Sequence, residues 1–173
     1  MNEVARLPLS PAPAPSAEAE VLPHNIEAEQ QLLGCILTNN DVYDRIAALV
    51  KSEHFYDPVH QRIFEKSAAR IQKNALASPV TLKPFFEDDD GLKELGGPSY
   101  LVRLAGAAIS AFAARDFAQM IYDLAVRREL ILSGQSIADK AGREETDSEP
   151  REQIVEAEQA LYQLGEQGKV DRG

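Results

Sequence analysis

The sequence predicts an all-α protein, built as a compact helical head followed by a projecting antiparallel helical hairpin. After residue 22, apolar residues recur at intervals of three and four along most of the chain, the spacing of one helical face. Proline, asparagine or aspartate stands near the start of most of these segments, where helices are commonly capped. Runs in which β-branched and polar residues alternate are absent from the sequence, so we expect no β-sheet.

The first 22 residues lack this helical pattern. Residues 7–16 hold four of the ten prolines of the chain, and a segment of this composition has few backbone donors and little apolar surface to bury. We therefore expect residues 1–22 to form a disordered Pro-rich arm. A ligand for another protein is the alternative role for this segment.

The head is expected over residues 23–111, and its first helix should be capped by Asn25. Glu27 and Glu29 would then lie in the first turn, near the positive end of the helix dipole. The single cysteine, Cys35, follows in an apolar stretch that lacks positive charge. We expect a small buried thiol at this position and no internal disulfide.

Turn-forming residues divide the rest of the head into further helices. Asp41 is the expected cap of a second helix, and Pro58 should lie in the first turn of a third. A brief helix is predicted to begin at Thr81 and to end at the acidic run 87–90. Another helix should begin at Pro98, after two glycines.

The longest predicted helix covers about residues 112–141 and would be roughly 45 Å long at about 1.5 Å per residue. A compact domain of this size does not need such a length, so the helix should project. A last helix with Pro150 in its first turn carries apolar residues at heptad-like spacing. The two helices predict a hairpin over residues 112–165, and glycines in the charged terminus indicate that a linker begins over residues 166–173.

Charge and composition argue against several classes of function. Eighteen Lys and Arg against 28 Asp and Glu give a net charge of −10, which repels phosphate backbones, so we expect no direct grip on DNA. No apolar run approaches the roughly eighteen residues that mark a membrane span, and the first residues do not resemble a secretion signal. We expect a cytoplasmic protein with no membrane contact.

The sequence also lacks a recognisable catalytic motif. The phosphate loop of ATPases ends in Gly-Lys-Ser/Thr, whereas the only Gly-Lys pair, Gly168-Lys169, precedes a valine. His54, Asp57 and His60 do not have the spacing of a helical zinc pair, so we expect no metal site. The chain is not expected to be an enzyme by itself, although a small enzyme that uses these three side chains stays as an alternative.

One stretch carries a family resemblance: Leu22-Pro23-His24-Asn25-Ile26-Glu27-Ala28-Glu29-Gln30, followed by Leu33-Gly34. It resembles the opening signature of the N-terminal domain of bacterial replicative DNA helicases of the DnaB family. Further matches follow in the family's order, and the resemblance covers about residues 22–170. These matches are His54-Phe55-Tyr56, His60-Gln61-Arg62-Ile63-Phe64, Thr81-Leu82, Leu95-Gly96-Gly97 and Val126-Arg127-Arg128-Glu129-Leu130.

The resemblance implies the collar domain of a helicase that unwinds DNA at the replication fork. In this family the domain dimerises, forms a trimer of dimers in the hexamer and docks the C-terminal domain of primase. A whole family member continues into a RecA-like motor that uses ATP and Mg, and this chain stops where the linker to that motor should begin. We therefore expect an isolated domain without a cofactor; the alternative is a free-standing helicase-like regulator that caps a helicase or sequesters primase.

The resemblance also assigns candidate residues to these two interactions. For self-association we select the apolar residues of both hairpin helices, although each has an equal claim to be intramolecular core: Phe117, Ile121, Leu124, Ile131, Ile137, Ile154 and Leu161. For primase docking we select Glu27, Tyr100, Ile131, Ile137 and Ile154. A buried Tyr100 or a capping Glu27 with a purely structural role would give the same sequence pattern.

Overall fold

The computed structural model describes residues 21–143 and 147–170, with side chains up to residue 167. These ranges form eight α-helices, two single-turn 3₁₀ helices at residues 52–54 and 111–113, and no β-strand, which confirms the all-α prediction. Most of the predicted Pro-rich arm, residues 1–20, lies outside the described residues. The helices are α1 (Ile26–Thr38), α2 (Asp41–Ile46), α3 (Pro58–Gln72), α4 (Pro79–Phe86), α5 (Asp90–Glu94), α6 (Ser99–Ala107), α7 (Ala114–Gly142) and α8 (Pro150–Val170).

Helix α1 is the centre of the head, packed against α3, α6 and α7. It begins as predicted, because the Asn25 Oδ1 accepts a hydrogen bond of 3.0 Å from the Ala28 amide. Apolar side chains are buried on almost every side of the helix, which is typical of a helix enclosed by others. Cys35 is fully buried, as expected, and burial raises the pKa of its thiol.

Gly34 allows α1 and α6 to approach closely. A methyl group added at this position would overlap the carbonyl oxygen of Leu104 and would also touch Ala108. The Leu-Gly pair of the opening signature therefore has a packing role, because only a glycine leaves room for the α6 backbone here.

The second helix begins differently from the prediction. Asp41 is its first residue and does not cap it; Asn39 accepts a hydrogen bond from the Asp41 amide at 3.1 Å. The Asn40 side chain turns away to donate to the carbonyls of Ile36 and Ala77, both at 2.8 Å, and to accept from the Ala77 amide at 2.9 Å. This asparagine joins the end of α1 to the loop before α4.

Two predicted boundaries near the acidic run are also wrong. Helix α4 begins at Pro79, two residues before Thr81, because Ser78 caps it and forms a capping box with Thr81. The acidic run starts another helix, since the Asp89 carboxylate accepts from the Leu92 amide at 2.9 Å. Arg62 binds the same carboxylate through two hydrogen bonds of 2.7 and 2.8 Å, which holds the pKa of Asp89 below its ordinary value.

The two long helices leave the head together. In α7 the buried residues end at Arg128, so the remainder of the helix extends roughly 20 Å beyond that point at about 1.5 Å per residue. Helix α8 returns antiparallel along α7 and passes through Gly165 to Val170, so the helix end predicted at residue 165 is wrong. None of the helices within the described ranges has both the length and the apolar character needed to cross a bilayer.

Candidate functional site

The hairpin has almost no core of its own. Over residues 150–167 no side chain of α8 is buried. The residues of α8 that face α7 include alanines, which leave a groove of about 260 Å³ between the helices. One exposed ion pair, between Lys140 Nζ and Glu156 Oε2 at 3.2 Å, joins the helices near the turn. The two helices therefore bury little apolar surface against each other.

Apolar side chains stand along the uncovered side of α8. Ile154 is 58% exposed and Leu161 46%, and these two residues are seven positions apart. Val155 and Tyr162 repeat the same spacing one position further, and Tyr162 is 68% exposed. Because residues seven apart lie on one helical face, the four side chains form two adjacent rows of a heptad pattern. These exposed apolar rows make this side of α8 a candidate protein-binding surface.

Helix α7 contributes a matching set in its projecting part. Leu130 and Ile137 are exposed and seven positions apart, and Ile131 and Leu132 are exposed beside them. Leu132 and Ile137 also line the groove against α8. We define the hairpin face as the exposed apolar side chains of both helices: Leu130, Ile131, Leu132, Ile137, Ile154, Val155, Leu161 and Tyr162.

The structure divides the seven residues predicted for self-association. Four lie on the hairpin face: Ile131, Ile137, Ile154 and Leu161. The other three lie in the part of α7 that packs on the head. Ile121 is buried in the core, Phe117 packs against the core, and Leu124 is half-buried beside His24 and Met120. These three residues therefore pack α7 against the head or lie beside that contact, and their part in self-association stays a prediction.

The five residues predicted for primase docking are divided in the same way. Ile131, Ile137 and Ile154 are exposed on the hairpin face, and Glu27 is exposed in the first turn of α1. Tyr100 is only 6% exposed, and its hydroxyl is 2.6 Å from His60 Nε2 and 3.1 Å from Gln30 Nε2. A direct docking contact does not fit this burial, so we assign Tyr100 to the core.

Tyr100 belongs to a buried polar cluster that sequence reasoning missed. The Glu29 carboxylate accepts hydrogen bonds from the amides of Tyr56 at 2.8 Å and Asp57 at 3.2 Å, and lies 2.9 Å from His60 Nδ1. The His60 ring therefore stands between the Glu29 carboxylate and the Tyr100 hydroxyl, with one ring nitrogen at hydrogen-bond distance from each. Glu29 does lie in the first turn of α1, as predicted, but nothing in the sequence indicated that its carboxylate joins α1 to α3 and, through His60, to α6.

This cluster resembles an acid–base relay in its order of groups, but it is enclosed. Glu29 and His60 are buried, and every buried side-chain N and O atom in the described residues has a hydrogen-bond partner. No solvent-exposed reactive atom is presented to a substrate. We therefore interpret the cluster as structural.

The three residues weighed for metal binding or catalysis each have a separate structural partner. His60 is engaged by Glu29 and Tyr100, and the Asp57 carboxylate caps α3 by accepting from the Val59 amide at 2.8 Å. The ring of His54 stands edge-on to Tyr122 with centroids 5.2 Å apart. In the described part of the chain, no three His, Cys, Asp or Glu side chains are placed to hold a metal ion.

Arg128 occupies the point where α7 leaves the head. It is 9% exposed, and its guanidinium donates to the carbonyl oxygens of Pro23 at 2.9 Å and His54 at 2.7 Å. Burial lowers the pKa of this guanidinium, because desolvation disfavours the charged form. The sequence pattern around Arg128 carries no signal for these contacts, because both partners are more than 70 residues away in the chain.

Comparison with known families gives a match over most of the head and the start of the hairpin. The model described as DnaB-like helicase N terminal domain matches residues 21–123. The replicative DNA helicase DnaB of Rickettsia bellii (strain RML369-C) is 37% identical over 150 residues, 87% of this chain. The corresponding helicase of Synechocystis sp. is 30% identical over 149 residues. The chain spans 30% of the length of the first relative and 17% of the second.

Solved structures show the same fold. The N-terminal domain of DnaB helicase from Mycobacterium tuberculosis superposes with a TM-score of 0.75 at 22% identity, covering 83% of this chain and 99% of that one. A DnaB-like replicative helicase, solved to show its interactions with primase, gives a TM-score of 0.63 at 24% identity, covering 81% of this chain and 31% of the other. At these identities the likeness concerns the arrangement of helices.

Proposed function

The chain belongs to the family of DnaB-like helicase N-terminal domains, and from this premise we propose that it is an assembly and docking module. In this proposal the hairpin face pairs with that of a second copy, and the hairpin also docks the C-terminal domain of primase. The single observation that carries the proposal is that α8 has no buried side chain over residues 150–167 although it carries two rows of apolar residues. In this proposal, strand separation with ATP and Mg belongs to the motor of a whole family member.

Pairing of two hairpins would complete the missing core. An antiparallel two-helix hairpin that meets its own copy makes a four-helix bundle, and a twofold pair brings the same face of each chain together. We assign Ile131, Ile137, Ile154 and Leu161 to this contact, with Val155 and Tyr162 from the adjacent rows. A twofold contact closes at two chains, so a trimer of dimers requires a second contact in the hexamer of the parent.

Docking of primase is supported by the charge of α8 and by a relative. Residues 147–167 hold six Asp and Glu but one Arg, so a basic partner surface would complement this helix. The DnaB-like helicase of similar fold was solved for its interactions with primase. We assign Ile137 and Ile154 to this docking surface, with Ile131 and Glu27 beside them. Tyr100 is left out because it is buried.

Titration of the primase C-terminal domain into this chain by calorimetry tests the docking proposal. Ile137→Asp is expected to weaken binding about tenfold or more, because it places a charge at an apolar contact. Phe112→Asp is the matched control, since Phe112 is 95% exposed but lies on the head. We expect its affinity to equal that of the unchanged chain.

Two results would contradict the docking proposal. Absence of heat and of any complex with the unchanged chain would remove primase as a partner. Loss of binding in Phe112→Asp but not in Ile137→Asp would move the docking surface to the head. The molar mass of each variant, measured in parallel, separates a lost docking contact from a lost self-association.

A further inference from the structure

The direction in which the hairpin leaves the head is set at one residue. We infer that Arg128 is a positioning residue for the hairpin face, which it holds at a fixed angle to the head. This inference rests on the proposed function in one respect: a fixed angle matters because the face is presented to a partner.

The position of Arg128 along α7 is the first observation. Residues Ala114, Ala118, Ile121 and Ala125 come before it on the buried side of the helix, and no residue after it in α7 is buried. Three of these four are alanines, whose short side chains make a smooth contact that a helix can rotate or slide across. Arg128 is therefore the last residue of α7 that is buried against the head.

The contacts of the guanidinium are the second observation. Its two nitrogens donate to carbonyls of separate segments, Pro23 before α1 and His54 before α3. Its plane also lies over the ring of Tyr56 at 5.5 Å, and His24 stacks on Tyr56 at 4.0 Å between centroids. A planar guanidinium that donates to two acceptors and also contacts a ring can take only one orientation. Arg128 therefore fixes α7 against both segments.

The charge of Arg128 gives the third observation. Within the described residues it forms no ion pair at salt-bridge distance, yet it is buried at a cost in solvation. A methionine would fill similar space without that cost. The arginine differs from a methionine in fixing the orientation of α7, because its guanidinium can donate to two carbonyls at once.

Space for movement lies beside Arg128, on the side of α7 that faces the head. A cleft of about 450 Å³ separates the 3₁₀ helix at residues 52–54 from the last turns of α8, and Arg128 lines it together with Glu129 and Leu164. The unfilled volume leaves room for the hairpin to change its angle to the head. Removal of the Arg128 guanidinium should therefore let the angle between the hairpin and the head vary across this cleft.

Electron–electron distance measurements test the role of Arg128 within a single chain. Spin labels at Glu65→Cys on the head and Asp139→Cys on the hairpin report the angle, since both positions are exposed. Cys35 is fully buried and should stay unlabelled. An excess of unlabelled chain makes every measured distance intramolecular, whether or not the chains pair.

The unchanged Arg128 is expected to give one narrow distance distribution. Arg128→Met should roughly double its width while the helix content from circular dichroism stays the same. Arg127→Met is the matched control, because Arg127 is the neighbouring arginine but is exposed; its distribution should equal that of the parent.

A parent-like width in Arg128→Met would overturn the inference. If Arg128→Met fails to fold, Arg128→Lys is measured instead, because lysine keeps the charge but lacks the planar guanidinium. A broader distance distribution in Arg128→Lys would support the role of Arg128, and an unchanged width would overturn it. Another outcome is a monomeric unchanged chain together with a broader distance distribution in Arg128→Met. That result would refute the proposed pairing and leave this inference standing.

Discussion

Ile154→Asp combined with Leu161→Asp is expected to keep the chain monomeric at concentrations where the unchanged chain pairs. Both residues lie on one exposed row of α8, and a twofold contact would bury the two carboxylates of each chain next to apolar groups. Burying each unpaired charge costs on the order of a few kcal/mol. The dissociation constant should therefore rise about a hundredfold or more, measured by sedimentation velocity.

The thermal unfolding of the head should change little in this double variant, because neither residue touches the head core. Val102→Asp combined with Phe112→Asp is the matched control. It places the same two carboxylates at exposed apolar positions of the head, away from the hairpin face, and should pair like the parent. Pairing of the Ile154→Asp and Leu161→Asp variant with parent affinity would show that these rows are not the interface.

Gly34→Ala is expected to give the largest loss of stability for a single methyl group. The added Cβ overlaps the Leu104 carbonyl, so α1 and α6 must separate at the centre of the core. Overpacking of this kind costs about 2–3 kcal/mol, and the melting temperature should fall by roughly 5–15 °C. Calorimetry or circular dichroism measures the shift.

Gly106→Ala tests whether this loss comes from the close approach. Gly106 lies in α6, and an added Cβ meets nothing within 4 Å. Alanine is a better helix former than glycine, so this control should be neutral or slightly stabilising. Equal losses in both variants would mean that the overlap with the Leu104 carbonyl is not the cause of the loss.

The sequence predicted most helices because their signals are local. The Asn25 cap, the proline starts of α3 and α8 and the length of α7 depend on residues that are neighbours in the chain. The start of α4 was missed although its Ser78 cap is local, and two other boundaries failed where a side chain also bonds to a distant segment. Asn40 reaches Ala77, and Asp89 binds Arg62 while capping a helix that was not expected.

The candidate site was predicted in part for a similar reason. The apolar residues of α7 recur at helical spacing along the whole helix, but those in its first half face the head and those in its second half face outward. Ile121 and Ile131 therefore look alike in the sequence and differ in the structure. The roles of Glu29 and Arg128 depend on partners 27 or more residues away, which helical spacing cannot show.

The most direct test of the account is the molar mass of the unchanged chain, measured by sedimentation equilibrium over roughly 1–100 μM, the range in which contacts of moderate affinity dissociate. Because the hairpin has apolar rows but no buried side chain in α8 over residues 150–167, the mass should rise from one chain to two across this series. A mass of one chain at every concentration would contradict the claim that the hairpin completes its core with a second copy.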